Sequence, residues 1–329
     1  MNQPDTDLPW VEKYRPQVLG DVVSQRDITQ TLQTFIDKKS LPHMLFHGPP
    51  GTGKTTTILA CARQMYGSRV REMTLELNAS DARGIDTARE QIKEFVSMRH
   101  LFAQHQPKLV ILDEADNMTQ ATQFALRRII EQYASNARFC LICNYSSQII
   151  PALQSRCTKF RFGPLSLEEA EGRLRYIASV ENVSLTDDGV AAILKLGKGD
   201  MRRILNVLQS SFLTFPVIDS RAVHLTTGDP LPEDMDYLVK TLFSSRFEEC
   251  VAAIEKMRTE RGYSLVDIVR EMHEEVKGIE MPRNARILLQ TDLADIEHRL
   301  CVGCFDRMHT PALAGSFVEA RELIVAATR

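Results

Sequence analysis

The run Gly48-Pro49-Pro50-Gly51-Thr52-Gly53-Lys54-Thr55 constrains this chain more than any other stretch, because it fits the pattern G-x-x-x-x-G-K-[ST] without a gap. It lies between a short apolar run, Met44-Leu45-Phe46-His47, and a helix-forming run that begins at Thr56. A strand, a glycine turn and a helix in that order bring backbone N–H groups and the positive end of a helix dipole to one point. That point suits a chain of phosphates. Gly48 to Gly53 supply the cradle, Lys54 reaches the β- and γ-phosphates, Thr55 offers a hydroxyl to Mg²⁺, and Thr56 follows on the helix. The ligand class is a nucleoside triphosphate.

An acidic partner lies downstream in Leu109-Val110-Ile111-Leu112-Asp113-Glu114-Ala115-Asp116. Four apolar residues in a row predict a strand buried on both faces, as in a parallel sheet. Carboxylates at the C-terminal end of such a strand face the crevice where α/β folds bind ligands. Asp113 is placed to hold Mg²⁺, and Glu114 to polarise a water for attack on the γ-phosphate.

From about residue 43 to 163 apolar strands alternate with amphipathic helices. Strands are expected at Met44–His47, Met73–Leu77, Lys108–Leu112, Phe139–Cys143 and Lys159–Phe162. Helices are expected near Lys54–Tyr66, Ile85–Arg99 and Gln120–Gln132. This predicts an α/β domain with a parallel sheet covered on both faces. After the Gly163-Pro164 break the pattern turns helical, with three segments before a second break at Thr226–Pro232 and five more beyond it. The expected domains are 1–163, 164–228 and 229–329.

With 329 residues, several domains are expected rather than one core. A net charge of −3 makes any nucleic-acid contact a local basic surface rather than a property of the whole molecule. No apolar run reaches the roughly 20 residues of a membrane span, and the polar start does not read as a signal peptide. An odd count of 7 cysteines predicts reduced thiols in a cytosolic or nuclear compartment. Cys140 and Cys143 sit on a predicted strand at a spacing that points them to opposite faces, and Cys301-x-x-Cys304 lacks a second ligand pair. Neither is read as a metal site.

Further stretches carry a family resemblance. They are Pro9-Trp10-Val11-Glu12-Lys13-Tyr14-Arg15-Pro16, Leu77-Asn78-Ala79-Ser80-Asp81, Asn144 after the fourth strand, Ser155-Arg156-Cys157 and Gly199-Asp200-Met201-Arg202-Arg203. With the two nucleotide motifs, this ordered set resembles the small subunits of replication factor C, the eukaryotic sliding-clamp loader of the AAA+ class. The resemblance implies an AAA+ P-loop domain, a small helical lid and an all-α C-terminal collar. It also implies ATP and Mg²⁺ as cofactors, a hetero-pentamer with other replication factor C subunits, and a nuclear location. The implied partners are the sliding clamp, proliferating cell nuclear antigen, and primer–template DNA.

The resemblance assigns roles to residues that are otherwise ambiguous. The segment from Val11 to Arg15 would fold over the adenine, with Val11, Arg15 and Val23 in contact; on the residues alone Trp10 and Tyr14 read as packing, and the resemblance leaves that reading standing for Trp10. Asn144 would orient the attacking water or a γ-oxygen, where a lone asparagine at a strand end is usually a cap. Arg202, in the first turn of a helix capped by Asp200, would reach the phosphates from the lid; by chemistry alone it could be a surface arginine. Arg156 would act in trans, as an arginine finger in a neighbouring subunit's site. Arg83, Arg89 and Lys93 would follow the DNA backbone, although Glu90 and Glu94 make an ordinary solvated face the reading from composition. Two rivals remain: a non-hydrolysing scaffold subunit, and an AAA+ helicase or branch-migration motor.

Overall fold

The computed structural model describes residues 8–22, 25–38, 40–79, 85–97 and 106–327, with backbone alone at 85–89. Five strands form one sheet: β1 (Met44–His47), β2 (Thr74–Asn78), β3 (Lys108–Asp113), β4 (Ala137–Cys143) and β5 (Thr158–Arg161). Every pairing is parallel and the order is β2-β3-β4-β1-β5. Alternation along each strand sends Met44, Phe46, Leu109, Ile111, Cys140 and Ile142 into one core layer. Leu45, Val110, Leu112, Phe139, Leu141 and Cys143 face the other. Cys140 and Cys143 therefore lie on opposite faces, as their spacing predicts.

The helices of this part are α1 (Trp10–Lys13), α2 (Arg26–Asp37), α3 (Lys54–Tyr66), α4 (Val70–Met73), α5 (Ile85–Ser97), α6 (Gln120–Gln132) and α7 (Pro151–Gln154). Leu32 of α2 and Ile58 and Ala62 of α3 cover the first layer. Ile92 and Val96 of α5 and Leu126, Ile129 and Ile130 of α6 cover the second. The lid consists of α8 (Leu167–Val180), α9 (Asp187–Gly197) and α10 (Met201–Thr214), and belongs to the same compact unit as the sheet. Each lid helix starts at a side-chain cap, namely Ser166, Thr186 and Asp200.

The first unit ends at Ile218 and the second begins at Asp219. Ile218 closes the lid by pairing with the segment before α9: its N–H donates to the Ser184 carbonyl at 2.8 Å, and its carbonyl accepts from Thr186 N–H at 3.1 Å. Helix α11 (Ser220–Thr227) consequently falls in the second unit, whereas the sequence placed the break after it, near Gly228. The rest of that unit is α12 (Pro232–Ser244), α13 (Phe247–Glu260), α14 (Leu265–Gly278), α15 (Arg283–Val302) and α16 (Asp306–Ala327). One core joins them through Leu238, Ile254, Ile268, Leu289, Leu313 and Phe317. No helix among the described residues is long and apolar enough to cross a membrane.

Candidate nucleotide site

The strand order assembles the site. β4 lies between β1 and β3, so the residue that follows β4 stands between the loop after β1 and the carboxylates after β3. That residue is Asn144. Its Oδ1 accepts from Lys54 Nζ at 3.1 Å, and its backbone N–H donates to Asp116 Oδ2 at 2.9 Å. Lys54 Nζ also donates to the carbonyls of Gly48 at 2.7 Å and Pro49 at 2.8 Å. Burial pushes Lys54 below the usual lysine range, against the opposing pull of Asp113.

The loop needs its glycines for space as well as conformation. A Cβ at Gly48 would lie 2.1 Å from the Phe162 carbonyl oxygen. At Gly51, where φ is +68°, it would lie 1.7 Å from Asp200 Oδ1. Asp200 is the cap of α10, accepting from the N–H groups of Arg202 at 2.8 Å and Arg203 at 3.2 Å. The cap of the lid helix thus rests directly on the phosphate loop.

Thr55 Oγ1 donates to Asp113 Oδ2 at 2.7 Å. A hydroxyl and a carboxylate side by side at a phosphate loop are hard oxygen donors of the kind Mg²⁺ takes, together with phosphate oxygens and water. Glu114 follows in the left-handed region, at φ +53°, which is strained for a residue with a side chain. Its Oε2 accepts from Asn117 Nδ2 at 3.1 Å.

Val11, Arg15, residues 50–56, Asp113, Glu114, Asn144 and Arg202 line one cleft, while Gly48 and Pro49 act through their carbonyls on Lys54. Arg15 Nε donates to Thr56 Oγ1 at 3.3 Å. Arg156 does not line this cleft. It donates to the Ala152 carbonyl at 2.7 Å and pairs with Glu131 at 2.5 Å. Val23 and Arg83 lie outside the described residues, as does the Arg89 side chain; Lys93 is half-buried.

The cleft also has walls that the sequence did not announce, Val22, Arg173 and Leu205, and it includes Tyr14 of the segment expected over the base. Arg173 and Leu205 sit on amphipathic lid helices, where a charged or apolar residue has an ordinary explanation. Only the folding of the lid onto the loop distinguishes them. Trp10 is buried against Phe212, as expected of a packing residue.

A five-stranded parallel sheet, a phosphate loop, paired carboxylates and a helical lid define a P-loop ATPase of the AAA class. The family model described as "ATPase family associated with various cellular activities (AAA)" matches residues 44–165, and "Replication factor C C-terminal domain" matches 230–316. Replication factor C subunit 5 of Mus musculus is 50% identical over 320 residues, covering 97% of this chain and 94% of the relative. Replication factor C subunit 3 of Oryza sativa subsp. japonica is 49% identical over 321 residues, covering 97% and 89%. The Thermotoga maritima RuvB Holliday junction branch migration motor superposes with a TM-score of 0.53 at 16% identity, covering 79% of this chain and 91% of that one, which is a likeness of fold. This chain belongs to the replication factor C family.

Lys54→Ala is expected to abolish productive ATP binding, because it removes the buried cation between the loop carbonyls and Asn144. Equilibrium ATP binding by the assembled complex checks this. Retained tight binding would refute the assignment of the phosphate loop.

Proposed function

We propose that the chain is an ATP-hydrolysing subunit of a nuclear clamp loader. It works in a pentameric ring with other replication factor C subunits to open the sliding clamp, proliferating cell nuclear antigen, and place it on primer–template DNA. Identity to replication factor C subunits along nearly the whole chain carries this reading. The nucleotide site supports hydrolysis rather than a scaffold role, because Lys54, Asp113, Glu114 and Asn144 are all present and drawn together. The RuvB likeness extends to fold alone and lends no weight to a branch-migration motor.

In this scheme Lys54 and the loop N–H groups hold the phosphates, and Arg202 reports their presence to the lid. Thr55 and Asp113 would hold Mg²⁺, which when bound neutralises charge on the phosphates. Glu114 takes a proton from the attacking water, which Asn144 orients. Arg156, outside its own cleft, would exchange its contacts with the Ala152 carbonyl and Glu131 to serve a neighbouring subunit's site. ATP binding closes the ring on the clamp, and hydrolysis releases it.

Arg83, Arg89 and Lys93 would grip the DNA backbone through charge, with little preference for sequence. Removing Arg89 and Lys93 together should weaken primer–template binding by the reconstituted pentamer on every sequence tried. The log–log salt slope should become shallower by roughly two. Clamp binding with ATP but without DNA should survive. An unchanged slope would return α5 to an ordinary solvated face.

A further inference from the structure

The nucleotide cleft draws its walls from the lid, through Arg173 and Leu205, and from the N-terminal segment, through Val11, Tyr14 and Arg15. That segment joins no strand of the sheet. Its ties run chiefly to the lid, apart from Arg15, whose Nε also donates to Thr56 Oγ1 on α3 at 3.3 Å. The Trp10 backbone N–H donates to Gln209 Oε1 at 3.0 Å, and its ring packs 5.4 Å from Phe212, both on α10. Arg173 of α8 donates to the Tyr14 carbonyl at 2.9 Å.

The strongest tie is Glu181, the residue that ends α8. A single carboxylate oxygen, Oε1, accepts from Lys13 Nζ at 2.6 Å and from the Tyr14 hydroxyl. The carboxyl is mostly shielded from water, with 17% of its side chain exposed. Burial alone would push Glu181 upward, but the bonds from Lys13 and Tyr14 outweigh it and hold the carboxyl below its usual range. Burial first, and then the hydrogen bond to Glu181 and its charge, push the Tyr14 hydroxyl well above the ordinary phenol range. The proton therefore stays on Tyr14 and the charge on Glu181, which makes both contacts charge-assisted hydrogen bonds. Glu181 itself does not line the cleft.

We propose that Glu181 is a positioning residue for recognition of the nucleotide base: it fastens Lys13 and Tyr14 to the lid, so that Val11 and Arg15 travel with the lid. This rests on the reading of the N-terminal segment as the wall that contacts the base. One rigid body then carries both the base contacts and Arg202. Base and phosphates are thereby sensed together by the lid, and a triphosphate without its base engages only half of the device.

The test titrates the full-length chain with ATP and, separately, with inorganic tripolyphosphate. Glu181→Ala removes both charge-assisted bonds and should raise the dissociation constant for ATP by roughly tenfold or more, while leaving that for tripolyphosphate unchanged. Lys13→Ala should act in the same direction. Glu181→Gln, which keeps an acceptor for Tyr14, should restore part of the loss. An equal loss for both ligands, or no loss for ATP, would overturn the proposal. Val11→Asp separates the two readings. If it leaves ATP affinity unchanged, the base-contacting reading itself fails. If it weakens ATP while Glu181→Ala does not, the wall stands and the positioning role falls.

Discussion

Replacing Arg156 with Ala is expected to leave this chain's own ATP affinity nearly intact and to slow hydrolysis in the neighbouring subunit by about 10³–10⁵. The side chain lies away from its own cleft, held by the Ala152 carbonyl and Glu131. Both contacts are solvent-facing, with 33% of the arginine and 42% of the glutamate side chain exposed, so exchanging them for a phosphate costs little. In the proposed scheme this planar, permanently charged guanidinium would then stabilise charge on the transferring phosphoryl group. The decisive measurement mixes mutant and wild-type subunits, silences the other pockets with lysine knockouts, and reads hydrolysis one site at a time. A defect confined to this chain's own site would make Arg156 a local structural residue.

Glu114→Gln should keep ATP bound and slow hydrolysis at this chain's own site by about 10²–10⁴, the usual contribution of a general base. Glutamine preserves the volume and can still accept from Asn117, which now donates to Oε2 at 3.1 Å. The backbone turn at φ +53° is likewise unaltered. What is lost is the capacity to accept a proton. Thr55, Asp113 and Lys54 remain in place to hold the nucleotide, so binding and chemistry should separate cleanly. Single-turnover hydrolysis within the assembled complex measures the second, and equilibrium binding the first. Unchanged hydrolysis would remove Glu114 from the reaction.

The strands and the loop that carries the phosphate site were legible because their signals are local. Apolar runs such as Lys108–Asp113 need both faces buried, and the turn at Gly48–Gly53 needs positive φ angles that its glycines adopt. Helix α2 went unread. Thr29, Thr31 and Thr34 lower its helix propensity and its N-cap Gln25 offers no side-chain hydrogen bond, although Ile28, Leu32, Phe35 and Ile36 recur at helical spacing and face the core, so the signal was present. Pro311 acts in the opposite sense, as a residue type that ordinarily stops a helix. Helix α16 instead starts at Asp306 and runs through the proline, because burial of His309, Thr310 and Leu313 outweighs one missing backbone hydrogen bond.

By itself the sequence determined that the chain carries a nucleotide-binding loop of the AAA kind, and it singled out the loop, lysine and carboxylates that line one cleft in the structure. Backbone conformation and side-chain chemistry at adjacent positions suffice for that. Only the tertiary structure decided that Asn144 meets Lys54, 90 positions away, because this depends on β4 lying between β1 and β3. The same holds for Tyr14 and Glu181, separated by 167 positions, and for Asp200 against Gly51. Strand order and the docking of a lid are chosen by competition among many buried faces, and no short stretch of chain contains the outcome of that competition.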